Sequence, residues 1–344
     1  MAIENVIALL QDDQFSAATM TEAVNRDPKV YKKIKSMGLF EIEGINTSSV
    51  VVDVHEGELS VMPQTTRGGP ATLQKPISKS AVVLQVPNFK KKAILTATDL
   101  QNVVDNSSKS LETLTSAIAK KARRLNDDME ITHEYLMAMA LRGKVVDIEG
   151  NEIVDLFDKF GKTQQTINFE LGANDDVIGQ ADAVDTAIDE KLGNDTKTST
   201  LVLCSPGFWN ALLKNKTIFE IYKNRETGPN PLINDLRGGF EFQNLVFVKY
   251  AGSVAVEGQD PIPFIPEDEA IALPLGTRNT FKMYCAPADL LEFANTEGVQ
   301  KYLTQSYEKQ DGEDRVIVRA ETDPLPICNK PDVLIRLTFS VTGE

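Results

Sequence analysis

Histidine and cysteine are scarce in this chain of 344 residues, which contains 2 histidines and 3 cysteines. The thiols Cys204, Cys285 and Cys328 are odd in number and far apart, and no Cys-x-x-Cys pair occurs. This usage argues against a disulfide framework and against a structural zinc site. We therefore predict synthesis in a reducing, intracellular compartment and expect no bound metal.

Long hydrophobic runs and targeting signals are also lacking. The first residues carry no positively charged stretch, and the apolar run at residues 6–10 is too short for a signal peptide. The other apolar runs have the length of β-strands, which is too short for a helix that crosses a bilayer. We expect a protein that has no membrane partner.

The motifs of common enzyme classes are missing as well. The chain has no Gly-x-Ser-x-Gly elbow, no Walker loop and no Gly-x-Gly-x-x-Gly after a strand. His133 and Glu134 are adjacent, but Met137 stands where a zinc-binding helix would place its second histidine. We interpret His133 as structural and Cys204 as a small core residue. No catalytic, cofactor-binding or metal-binding residue is predicted, and we expect that the chain is not an enzyme.

Positive charge is under-represented, with 36 Lys and Arg against 50 Asp and Glu and a net charge of −14. This balance argues against a protein that reads nucleic-acid sequence, because such a protein needs a basic surface. Residues 1–100 hold 11 basic and 11 acidic side chains, so the negative excess lies in residues 101–344. The lysine clusters at residues 29–35 and 90–92 are either solvated surface or contacts to an acidic surface of another copy.

The N-terminal part of the chain predicts an arm and then a long two-stranded projection. Residues 1–36 are polar and weakly periodic, which indicates an arm with one helical stretch that stays out of the core. Strand-like runs at residues 49–54 and 58–62 flank a glycine, which is a hairpin signal. Residues 63–80 are rich in Pro and Gly and precede a strand at residues 81–86, so we interpret them as the tip of the projection.

The strongest periodic signal lies at residues 108–142 and predicts one long amphipathic helix. Ser107 or Ser108 can cap its start, and Gly143 follows its end. At 1.5 Å per residue such a helix would be about 50 Å long, which suits a strut better than an enzyme domain. Its apolar positions recur at steps of three and four: Leu111, Leu114, Ile118, Ala122, Leu125, Met129, Leu136 and Met139 or Ala140.

Beyond Gly143 the pattern changes to strands and then to an α/β unit. Ser205 and Pro206 predict the start of a helix that carries Phe208 and Trp209 into the core. A second helix is predicted at residues 182–192. The predicted strands are a hairpin of 144–148 with 152–156, followed by 165–171, 200–204, 245–250, 270–274, 280–285, 316–320 and 333–340.

This order of parts resembles the major capsid proteins of tailed bacteriophages, which have the Hong Kong phage 97 fold. More narrowly, the chain is similar to the lambda-type capsid protein E family. Four stretches carry the resemblance: a strand and Arg-Gly loop tip at residues 58–70, a helix end at 130–145, a loop and strand at 264–274, and a closing motif at 323–332.

The resemblance implies an α+β, Hong Kong phage 97-like fold in four parts. The first two are an N-terminal arm at residues 1–36 and an extended β-hairpin, the E-loop, at residues 37–98. A peripheral domain at residues 99–172 and 316–344 would contain the spine helix, which is the helix predicted above. An axial domain at residues 173–315 would be inserted into it.

The resemblance also implies a function, that of a viral major capsid protein that self-assembles. Hexamers and pentamers of the chain would form an icosahedral head around packaged double-stranded DNA, without sequence-specific binding. The implied partners are a portal protein, a separate scaffolding protein and a decoration protein, with assembly in the host cytoplasm. An encapsulin-like compartment shell of the same fold and, in another class, an uncharacterised hydrolase are the alternatives.

Seven residues are candidates for contacts between subunits. In the resemblance, Arg67 lies at the E-loop tip, where it would pair with an acidic patch on the adjacent copy. The neighbouring glycines would allow a close backbone approach. The candidates are Arg67, Gly68, Gly69, Pro70, Lys90, Lys91 and Lys92.

Overall fold

The computed structural model describes residues 16–26, 33–56, 78–100, 114–172, 175–193, 195–224, 239–254, 261–310 and 313–341. Helices and strands are interleaved along these residues, as in an α+β protein. The helices are α1 (Ala17–Arg26), α2 (Lys33–Ser36), α3 (Ala97–Leu100), α4 (Leu114–Leu141), α5 (Leu156–Lys159), α6 (Val177–Leu192), α7 (Pro206–Leu212) and α8 (Lys216–Asn224).

The strands form several separate sheets. They are β1 (Glu41–Gly44), β2 (Ser49–Glu56), β3 (Ser78–Gln85), β4 (Phe89–Thr96), β5 (Lys144–Val146), β6 (Glu152–Asp155), β7 (Thr166–Glu170), β8 (Ser199–Cys204), β9 (Phe240–Phe242), β10 (Leu245–Lys249), β11 (Ser253–Val254), β12 (Ile262–Pro263), β13 (Glu269–Leu275), β14 (Phe281–Cys285), β15 (Tyr302–Gln310), β16 (Glu313–Thr322), β17 (Pro324–Cys328) and β18 (Ile335–Ser340).

The largest sheet has the strand order β7-β18-β13-β8-β10-β9. Its strands β8 and β10 are parallel, and the intervening chain forms α7 and α8. All but the first residue of β8 are buried, as expected for a strand with both faces covered. The Ser205 hydroxyl accepts the Phe208 N–H at 3.2 Å and so begins α7. Phe208 packs edge-on against Phe339, which closes the core beside the C-terminal strand.

A second, smaller core lies under the sheet β15-β16-β4. Alternate residues of these strands face α1 and the N-terminal half of α4, since the side-chain period of a strand is two. The members of this core from the sheet are Leu95, Leu303, Val316, Val318 and Ala320, and those from the helices are Met20, Val24, Leu114, Ala117, Ile118, Leu125 and Met129.

Helix α4 connects the two cores. Its 28 residues span about 42 Å. The first half is amphipathic and packs on the smaller core, whereas every residue from His133 to Leu141 is buried, the last seven in the larger core. The same helix therefore fixes the position of one core relative to the other.

Most of the predicted elements are confirmed. The structure contains the long helix up to Leu141, the pairing of β2 with β3 that the predicted projection requires, and the hairpin of β5 with β6. Residues 108–113 of the predicted helix and the strand predicted at residues 58–62 lie outside the described residues.

One prediction is wrong, and one strand is longer than predicted. The N-terminal arm joins the cores, because Ile34 is fully buried and Met20 and Val24 pack into the smaller core. The strand predicted at residues 49–54 continues through His55 and Glu56 and pairs with β3 along its whole length, while Gly57 of the hairpin signal lies outside the described residues. The sequence does not predict strands β4, β15 and β17, because their lysines, prolines and polar residues interrupt the alternation of apolar and polar side chains that indicates a strand.

A close backbone crossing holds β1 against the loop that precedes β15. The Gly298 N–H donates to the Ile45 carbonyl at 3.0 Å, and the Ile45 N–H donates to the Cys285 carbonyl at 2.9 Å. A Cβ atom on Gly298 would overlap with that Cys285 carbonyl, and one on Gly44 would overlap with the Gly298 carbonyl. Only glycine fits this crossing without a backbone shift.

We expect Gly298→Ala to lower the free energy of unfolding by about 1–3 kcal/mol, because the added methyl group must displace backbone atoms. The measurement is urea unfolding of the purified chain. Gly179→Ala is the matched control, since the nearest atom there is Oδ2 of Asp176 at 3.0 Å, whereas the hydrogen bonds by which Asp176 caps α6 use Oδ1. Equal stability of the two variants would contradict this account of the crossing.

Candidate subunit-assembly elements

A belt of buried polar residues crosses α4 between the two cores. Asn126, Glu130, His133 and Glu134 are at most 8% exposed. Their spacing of three and four residues places them on adjacent turns of the helix. Buried carboxylates and amides are stable only with hydrogen-bond partners. The elements that supply these partners are therefore held to α4.

Lys301 supplies the partner of Glu130. Its ammonium group is buried and lies 2.6 Å from Glu130 Oε1, 2.8 Å from Asn126 Oδ1 and 2.9 Å from the Val24 carbonyl. Three acceptors match the three protons of the ammonium group. This one side chain ties the start of β15 to α4 and to α1.

The N-terminal arm is also held by hydrogen bonds to backbone groups. The Thr21 hydroxyl accepts the Leu303 N–H at 3.2 Å and lies 3.4 Å from the Leu303 carbonyl. The Asn25 amide donates to the Lys301 carbonyl at 2.8 Å. Helix α1 is thus attached to the edge strand β15, which would otherwise expose unpaired backbone groups.

Glu134 binds α2, the second helix of the N-terminal arm. Its carboxylate accepts the N–H groups of Lys33 at 3.1 Å, Ile34 at 2.8 Å and Lys35 at 3.4 Å, and the hydroxyl of Tyr250 at 3.0 Å. Burial raises the pKa of Glu134, and these donors oppose that effect. The arm, α4 and the end of β10 meet at this carboxylate.

The two-stranded arm formed by β2 and β3 has two different sides. Val50, Val52 and Leu84 are buried against the larger core. On the other side the directly opposed pair Val51 and Val83 is 59% and 58% exposed. Paired, exposed β-branched residues on the open side of two strands are a surface that a further protein chain can cover.

A cluster of acidic side chains lies at the turn between β3 and β4, next to the two-stranded arm. The Asn88 amide, in the turn between β3 and β4, donates to Glu321 Oε1 and to Asp323 Oδ1, each at 2.6 Å. Glu321 also accepts the Asp289 N–H at 2.7 Å. Lys90 lies 2.8 Å from Asp289 and 3.6 Å from Glu321. The turn that joins β3 to β4 is therefore held by the buried carboxylates of Glu321 and Asp323.

Asp323 is the least satisfied member of this cluster. It is 3% exposed, and within the described part of the chain its Oδ2 atom has no hydrogen-bond partner. Burial, together with the charge of Glu321, raises the pKa of Asp323 to about 7. The side chain therefore keeps its proton in mildly acidic solution.

The structure describes only three of the seven candidate contact residues. Lys90 pairs within the chain as described, and Lys91 lies 2.6 Å from Asp128 of α4. Lys92 is exposed on β4. Residues 67–70 lie outside the described residues. The role of all seven in contacts between subunits stays a prediction.

The residues considered for catalysis or metal binding have structural surroundings. His133 Nε2 lies 2.6 Å from the Thr322 hydroxyl, which donates to the Gln300 carbonyl at 2.7 Å. All three thiols are buried, and burial raises the pKa of Cys285 to about 12.

Across the residues that the structure describes, no cluster of three or more His, Cys, Asp or Glu could hold a metal ion. No helix among them is long and apolar enough to span a membrane.

Sequence comparison adds the decisive observation. The family model of the phage major capsid protein E matches residues 16–339, which is nearly the whole chain. The chain belongs to this family. Its members are capsid proteins, so the chain is a self-associating structural protein of a phage virion and is not an enzyme. This capsid assignment is favoured over the compartment shell and the hydrolase.

Two curated relatives agree with the membership in the capsid protein E family. The major capsid protein of Pseudomonas phage KPP10 is 25% identical over 342 residues, covering 94% of this chain and 97% of its own length. The major capsid protein of Salmonella phage Felix O1 is 24% identical over 368 residues, covering 97% of this chain and 98% of its own length.

Solved structures show the capsid fold. A prophage protein of E. coli CFT073, described as a capsid protein, matches with a TM-score of 0.61 at 11% identity, covering 94% of this chain and 99% of its own. The capsid of Ralstonia phage GP4 matches with a TM-score of 0.53 at 11% identity, covering 93% and 94%. The predicted Hong Kong phage 97-like fold is thereby confirmed.

We expect Lys301→Met to lower the free energy of unfolding by about 3–5 kcal/mol, because the buried Glu130 carboxylate loses its close ammonium partner and keeps only Lys35, 3.5 Å from its Oε2 atom. Urea unfolding measures the loss. Lys309→Met on β15 removes an exposed ammonium group and should change stability by less than about 0.5 kcal/mol. Adding Glu130→Gln to Lys301→Met should recover part of the loss. Similar stability of Lys301→Met and Lys309→Met would refute the anchoring role.

Asp323 predicts a dependence of stability on pH. Between its ordinary pKa of 3.8 and the folded value of about 7, the folded chain holds one more proton than the unfolded chain. Stability therefore falls as the pH rises through this window. We expect the melting temperature of the unassembled chain to fall by at least about 2 °C between pH 5 and pH 8.

Asp323→Asn should flatten this dependence, because the amide keeps an acceptor for Asn88 and carries no ionisable group. Asp127→Asn, which removes an exposed charge from α4, should keep the slope of the unmodified chain. A slope that Asp323→Asn leaves unaltered would show that Asp323 is not the titrating group.

Proposed function

We propose that this capsid protein assembles as hexamers and pentamers into an icosahedral head that encloses double-stranded DNA. The observation that carries the proposal is the open side of β2 and β3, where Val51 and Val83 are exposed in a chain of a capsid family. An arm of this kind is completed by a neighbour that covers its open side. Contacts of an arm with the next copy are heterologous and close into rings by rotation.

We propose the division into parts that the sequence indicates. The N-terminal arm is residues 1–36, the E-loop residues 37–98, the peripheral domain residues 99–172 with 316–344, and the axial domain residues 173–315. Support comes from α4, which lies in the peripheral part and contacts both cores. One sheet joins three of these parts, since it contains β4 of the E-loop, β15 of the axial domain and β16, most of which lies in the peripheral domain.

Contacts between copies are proposed at the E-loop tip, residues 67–70, and at the lysines of β4. The chain has a net charge of −14, so a neighbouring copy offers many acidic partners. Lys92 supports the proposal best, because its side chain is exposed on β4.

The negative charge also fits a container for DNA. A wall that repels phosphate allows the genome to move during packaging and ejection. The proposed partners are a portal protein, a separate scaffolding protein and a decoration protein, and the proposed place of assembly is the host cytoplasm.

Negative-stain electron microscopy of the purified chain, with sedimentation at low and high salt, tests the assembly. We expect closed shells tens of nanometres across, with a yield that changes with ionic strength because charged surfaces meet. A stable monomer that forms no rings or shells under any of these conditions would overturn the proposal. Salt-independent assembly would overturn only the electrostatic part.

A further inference from the structure

The sheet β15-β16-β4 has a second face, directed away from α1 and α4. Beyond the row of Lys90 with Glu321, strand register places three rows on it: Lys92 beside Arg319, Ile94 beside Ile317, and Thr96 beside Arg315 and Glu308. We call this the outer sheet face and define it by its charged and apolar members: Lys92, Ile94, Glu308, Arg315, Ile317 and Arg319.

The outer sheet face is cationic on a chain that is strongly anionic. It carries three cations and one anion, whereas the whole chain has a net charge of −14. Arg319 and Glu308 form a 3.1 Å ion pair that extends over the position of Ile317, which is only 3% exposed. Ile94 is 37% exposed beside the exposed Lys92. The face thus offers an apolar patch bordered by positive charge.

The loop of residues 286–300, which we call the Leu291 loop, has the opposite character. Leu291 is 98% exposed, and the acids Asp289 and Glu292 on either side of it are exposed as well. The loop is nevertheless held in place. The Phe293 ring lies 4.8 Å from the Tyr302 ring, and the Val299 N–H donates to the Tyr302 hydroxyl at 2.9 Å.

A fixed, fully exposed leucine between acids is complementary to an exposed isoleucine between cations. We propose that the Leu291 loop of one copy docks on the outer sheet face of a second copy. Leu291 then packs on Ile94, and Glu292 faces Lys92. This contact rests on the proposed self-assembly and names one of its surfaces.

A second copy of the chain is the occupant that matches both the outer sheet face and the Leu291 loop. The two surfaces are neighbours on one chain, because Asp289 of the loop pairs with Lys90 of β4 at 2.8 Å. A copy that offers its loop therefore offers its outer sheet face close by, so two copies can each supply a loop and a face to the other, as in an isologous contact. DNA phosphates would satisfy the cations but would leave Leu291 and Ile94 in water.

Charge reversal tests the contact in the full-length chain. Lys92→Glu and Glu292→Lys should each lower the yield of shells, measured by sedimentation and negative-stain microscopy, by at least about tenfold, because like charges then meet. The double variant Lys92→Glu/Glu292→Lys restores an opposite pair in every contact and should recover most of the yield. Lys214→Glu, at an exposed position after α7, is the control with the same change in net charge as Lys92→Glu.

Circular dichroism of each unassembled variant checks that it is folded. Single variants that assemble as well as Lys214→Glu would overturn the docking contact, as would folded single variants that the double variant fails to rescue. Normal shells of Lys92→Glu with less bound nucleic acid would also overturn it and place this face against DNA. If the unmodified chain forms no shells, the proposed function itself fails, which is a separate result.

Discussion

The need to satisfy buried charge on α4 determines how this chain is arranged. Glu130 and Glu134 lie where the helix passes from one core to the other, and neither carboxylate contacts bulk water to any extent. Each is stable there because other segments bring donors to it. Glu130 is met by Lys301, just before β15, and by Lys35, and Glu134 by three backbone N–H groups of α2 and the Tyr250 hydroxyl. An apolar belt would tolerate many packings, whereas this polar belt accepts one set of partners.

The sequence allowed much of the fold to be predicted, because its strongest signals are local. The spine helix, the two-stranded projection and the start of α7 at Ser205 each follow from periodicity or capping within a few residues. The N-terminal arm could not be assigned in this way. Its helices are polar in sequence, and their burial depends on side chains almost 300 residues away, such as Lys301.

The candidate site was harder to predict than the fold. Asn126, Glu130 and Glu134 recur every four residues beside the apolar stripe, which is a usable sign of a buried polar belt, but the same spacing occurs on solvated helices. The sequence around Glu321 and Asp323 does not indicate their role, because that role depends on hydrogen bonds from Asn88, which is distant in sequence. Acidic residues are so common in this chain that position, rather than type, distinguishes them.

The way α1 is attached to β15 has a consequence for sequence divergence. Thr21 and Asn25 bind the N–H and carbonyl groups of the strand, which every residue type except proline provides equally. Substitutions along the strand that keep its backbone in place leave this attachment intact. Divergence of this strand is therefore limited by the buried side chains of Tyr302 and Leu303, and its attachment to the arm adds no further demand on residue type.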